Sequence, residues 1–66
     1  MKIIYDTAKI DKYLQENKLS KRELCKKCKV SYDILKKIYN HQTNLYAISV
    51  FKVAKGIGIE FYKIFV

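Results

Sequence analysis

Basic side chains dominate the residues of this chain that can do chemistry, and they are concentrated in one stretch. Between Lys18 and Lys37 eight Lys/Arg stand against two acids, Glu23 and Asp33, which puts +6 of the chain's +8 there. Clustered ammonium and guanidinium groups neutralise phosphates, and polar side chains among them can hydrogen-bond base edges. The pattern therefore predicts a compact polyanion as partner, with double-stranded DNA the natural one. Other chemistry is poorly supplied. Cys25, Cys28 and the sole histidine, His41, leave a tetrahedral zinc site one ligand short. The two cysteines read instead as reduced packing side chains, and His41 as an ordinary loop residue. One histidine, six scattered acids and no phosphate-cradling glycine loop assemble no catalytic set. No enzyme activity, metal, cofactor or small-molecule ligand is expected.

The elements that must position these charges are helical throughout. Ile10, Tyr13 and Leu14 fall at helical spacing, with Asp6 or Thr7 to cap the start and Asn17-Lys18 as the exit. Ser20 opens a second helix, and Glu23 three residues on completes a capping box. Leu19 can staple onto Leu24, while Leu24 and Cys28 form the buried stripe. Ser31 is the next cap, so the chain must turn between Cys28 and Ser31. Leu35 and Ile38 then carry an inner face, with Asp33, Lys36 and Lys37 largely outside. After the polar connection Asn40–Asn44, apolar periodicity resumes at Leu45, Ile48, Phe51, Val53-Ala54 and Ile57. Gly56 or Gly58 can supply a left-handed end. A short fifth helix is expected from Glu60, with Phe61 and Ile64 closing the core. Ile3, Ile4 and Tyr5 can cover the core as extended chain or begin the first helix.

Sixty-six residues, half of them hydrophobic, suffice for one small domain over 1–66. No proline is present, and the two glycines mark no linker. No apolar run nears the ~18 residues of a membrane span, and MKIIYDTAK turns polar too early for a signal peptide. A cytoplasmic location with no membrane partner is the expectation. The aromatic residues Tyr39, Tyr46, Phe51, Phe61 and Phe65 read as core and interface.

LSKRELCKKCKVSYDILKKIYN and FKVAKGIGIEFYKIF, in that order, resemble the Cro/phage-repressor-like (Xre-type) helix-turn-helix regulators over about Ile10 to Phe65. The resemblance implies an all-α, compact five-helix lambda-repressor-like domain with its helix-turn-helix at about 20–39. It also implies binding to operator DNA, commonly as a homodimer, as a stand-alone repressor. Carried over by position, Tyr32, Asp33 and Lys37 face the groove as base contacts. Ser20, Lys21, Arg22, Lys26, Lys36 and Asn40 are the expected phosphate contacts, and Lys27 is grouped with the lysines of the second helix among them. Asp33 can instead pair with Lys37, and Tyr32 can lie along the helix surface. Phe61, Phe65 and Val66 offer the expected dimer surface. Two departures stand out: Lys29 replaces the usual turn glycine, which suggests a differently built turn, and the following connection lacks basic residues. The alternative is a protein-interaction module of the same fold, antitoxin-like or anti-repressor.

Overall fold

The computed structural model describes residues 4–66, and the expectation for residues 1–3 lies outside them. The described residues form four α-helices: α1 (Thr7–Asn17), α2 (Lys21–Cys28), α3 (Tyr32–Tyr39) and α4 (Ala47–Gly56). The fifth helix is a correction. Phe61–Ile64 is a single 3-10 turn, because four residues cannot repay α-helix nucleation and the chain straightens again at Phe65. There Tyr5 and Phe65 make an isolated antiparallel bridge, and the amide of Val66 donates to the carbonyl of Ile4 at 2.8 Å. The radius of gyration, 10.7 Å, matches the ~11 Å of a compact chain this long.

One core serves all the elements. Ile10 of α1, Leu24 of α2, Leu35 and Ile38 of α3, Val53 of α4 and Ile64 are all below 2% exposed. Each such side chain contributes roughly 1.5–3 kcal/mol of burial. No charged or polar residue is buried among the described residues. On α4 the expected inner face holds for Val53, Ala54 and Ile57 and fails for Ile48 and Phe51. Val50, Val53, Ala54 and Ile57 point inward, whereas Ile48 and Phe51 are exposed. Both stripes are apolar, so periodicity alone could not choose between them.

Helix ends explain how so few glycines suffice. All four α-helices finish with the same pair of backbone bonds around one left-handed residue, the Schellman arrangement. Those residues are Lys18, Lys29, His41 and Gly58, with φ of 52°, 59°, 55° and 81°. The closing amides of Leu19, Val30, Gln42 and Ile59 reach Leu14, Cys25, Lys37 and Ala54 at 3.0–3.1 Å. The turn after α2 is therefore built in the usual geometry even though Lys29 stands where glycine would be easier. A left-handed L-residue costs roughly 1–2 kcal/mol, tolerated here because the following apolar residue is drawn back to the core.

In the N-terminal segment the expected cap is absent, while Tyr5 covers the core as extended chain, one of the two expected alternatives. Asp6 precedes α1 but its side chain makes no capping bond; its carboxylate lies 3.6 Å from the Lys9 ammonium instead. Tyr5 is buried, and its backbone N–H donates to Nδ1 of His41 at 3.2 Å. The Tyr5 hydroxyl donates to the carbonyl of Gln42, and burial pushes its pKa up. His41 is thus a fastening point for the chain's start, beyond the plain loop role expected of it.

Candidate nucleic-acid interface

Ser20 begins the surface that matters. Its Oγ accepts from the amide of Glu23 at 3.1 Å, and its own amide donates to the Glu23 carboxylate at 2.9 Å. The backbone bond from Ser20 and the serine side chain together hold the Glu23 carboxyl below its usual range. Both polar groups of Ser20 are thus engaged in starting α2. Ser31 does the same for α3, accepting from the amide of Ile34. The two short helices are consequently fixed at both ends, with three residues between them.

Three of the expected phosphate contacts gather around two tyrosines. The Arg22 guanidinium lies 4.5 Å from the Tyr32 ring centre, and the Lys36 ammonium 5.8 Å from it. Lys21 sits 4.0 Å over the ring of Tyr39. A cation over an aromatic face gains about 0.5–1 kcal/mol at an exposed site, so these charges are held in register with α3. Asn40 closes the shallow depression that Lys21, Tyr32, Lys36 and Tyr39 share. Lys26 is exposed one turn beyond Arg22 and joins this group only as the next charge along α2.

Asp33 and Lys37 stand on the outer side of α3, opposite Leu35 and Ile38. Their side chains are 67% and 30% exposed and 3.6 Å apart. A pair this open contributes only ~0.3–0.5 kcal/mol, so it yields readily to a better partner.

Tyr39 is the residue that sequence reasoning undervalued. Its hydroxyl donates to the Asp11 carboxylate, which binds α3 to α1. Burial, that bond and the aspartate charge drive its pKa far above the usual tyrosine value. Tyr39 therefore remains a neutral platform under Lys21. The signal was present as Asp11 and Tyr39 on facing helices, but no local spacing links residues 28 apart.

The expected dimer residues fare differently. Phe61 and Phe65 meet edge to face at 5.3 Å, and Phe65 also packs on Tyr5 at 5.5 Å. Both are half-buried, and Val66 is exposed. The open apolar surface lies mainly on α4, where Ala47, Ile48, Phe51 and Phe61 line a shallow groove. Cys25 and Cys28 are free and buried; burial raises both thiols, which favours packing over reactivity. Among the described residues no helix is long and apolar enough to cross a membrane.

No family model, curated protein or solved structure matches this chain.

Proposed function

We propose that the chain is a sequence-specific double-stranded DNA-binding regulator of the helix-turn-helix, lambda-repressor-like class, acting as a binding protein and not an enzyme. In this reading α2 braces α3, and the outer side of α3 enters a major groove ~12 Å wide. Asp33 and Lys37 separate to meet base edges, the lysine at guanine O6/N7 and the carboxylate at a cytosine amino group. Lys21, Arg22 and Lys36 neutralise flanking phosphates, with Ser20, Lys26 and Asn40 at the margins. The observation that carries the reading is the arrangement of Arg22, Lys36 and Lys21 on Tyr32 and Tyr39 beside the exposed Asp33 and half-buried Lys37. Pre-placed cations beside releasable polar groups suit a target with both phosphates and base edges.

Dimerisation would place two copies on half-sites about 34 Å apart. Selection from a random duplex pool tests the whole reading. Enrichment of one motif in native protein, altered by Lys37→Ala but only weakened by Arg22→Ala, is the expected result. A pool that shows no enrichment sinks it. The exposed Ile48 and Phe51 favour a second reading, a protein-interaction module of the same fold. That reading gains if duplex affinity is flat in salt while Phe51→Ser abolishes capture of a protein partner.

A further inference from the structure

A second cationic feature lies between the C-terminal ends of α2 and α4, and none of the contacts proposed above to DNA lies in it. It is an open cleft of about 580 Å³ rimmed by Lys27, Lys29, Lys52 and Lys55. None of its lining residues is acidic, and none is shared with the depression at Tyr32 and Tyr39. Along the α2 axis, Lys29 lies about 12 Å beyond Lys21.

The cleft is not merely a gap between solvated lysines. Its inner wall is the half-buried ring of Tyr13 with buried Cys28 and Ile57 behind it. The Lys27 ammonium is already fixed there, donating to the Tyr13 hydroxyl and sitting 4.7 Å from its ring centre. Close helix approach forms the floor. A Cβ on Gly56 would fall 2.1 Å from Cys28 Sγ, so only glycine lets α4 reach α2 at this point. The volume lies within the range of small-molecule sites, roughly 300–1,000 Å³. Lysines are point-charge phosphate binders, and an apolar wall with a flat aromatic ring suits a planar ring system.

We infer that this cleft binds a nucleoside triphosphate, its phosphates among Lys29, Lys52 and Lys55 and its base against Tyr13 in place of the Lys27 ammonium that lies over the ring. Occupancy would neutralise charge at the foot of α2 without covering the α3 surface. The inference is independent of the DNA reading, since its test contains no duplex in the primary arm.

Calorimetric titration of the full chain with ATP, at low ionic strength and without magnesium, should give saturable single-site binding. The double variant Lys52→Gln/Lys55→Gln should lose about tenfold or more in affinity. Lys12→Gln/Lys63→Gln removes equal charge from exposed residues outside the cleft lining and should change it by no more than about twofold, as expected of solvent-screened charges. Adenosine and inorganic triphosphate should each bind more weakly than ATP. Equal losses in the two double variants would overturn the inference, as would triphosphate binding as tightly as ATP. So would an absence of ATP binding while Lys52→Gln/Lys55→Gln weakens duplex binding, which would assign these lysines to DNA.

Discussion

On the α2–α3 surface the cations lie on aromatic rings, Lys21 on Tyr39 and Arg22 on Tyr32. Around the α2–α4 cleft, Lys29, Lys52 and Lys55 make no ring contact or ion pair among the described residues, and only Lys27 is held by Tyr13. The first region is stiffened by capped helix ends and by the surface bond from Tyr39 of α3 to Asp11 of α1. The second is shaped by backbone approach, through Gly56 against Cys28. Like charge thus rests on unlike foundations: side-chain order in one place, helix spacing in the other. Pre-placed charge favours an extended rigid lattice of phosphates, whereas free lysine tips around a concavity adapt to a small ligand.

Changes that act on one foundation should leave the other standing. Gly56→Ala should be the most damaging, because its new methyl overlaps a buried sulfur; about 1–3 kcal/mol of stability should be lost in urea unfolding. Adding Cys28→Ala leaves Cβ as the nearest atom, at 3.4 Å, and should recover part of the loss. Simply additive losses would show that the α2–α4 approach is not the cause.

Ser20→Ala strikes the hairpin instead and should cost ~1 kcal/mol. The same cap makes stability depend on pH. The Glu23 carboxyl is depressed in the folded chain, so the unfolded chain takes up its proton at higher pH. Its contribution is complete at neutral pH and lost as pH falls through the folded carboxyl's titration. Glu23→Gln should remove that part of the acid dependence, as read by thermal unfolding between neutral and acid pH.

Lys29→Gly joins the two regions, since Lys29 ends α2 and also rims the cleft. Relief of its left-handed backbone should raise stability by up to ~1 kcal/mol, while ATP affinity should fall for want of a cation. A stability decrease would show that the side chain matters more to the turn than the backbone does.

Much of this was legible in the sequence where the signal is local. Ser20 with Glu23 and Ser31 marked the starts of α2 and α3, and Leu24, Leu35 and Ile38 marked their inner faces. Gly58 was identified as one of two candidates for a left-handed end. What escaped depends on distant pairing. The Tyr5 clip to His41 and Phe65, and the Tyr39 bond to Asp11, join positions with no shared periodicity. On α4 Val53, Ala54 and Ile57 were legible as inward residues, whereas Val50 was missed in favour of Ile48 and Phe51, because two apolar stripes competed in the first half of the helix. At the candidate site, the charges were visible in the chain, but their seating on Tyr32 and Tyr39 was not.

Duplex affinity of native protein and of Arg22→Gln/Lys36→Gln, measured by anisotropy across a salt series, tests the central claim most directly. The native chain should lose affinity steeply with salt, and the variant's log–log slope should be shallower by about two, one unit for each lost phosphate contact. Identical slopes for both proteins, or no duplex binding by native protein in dilute buffer, would contradict it.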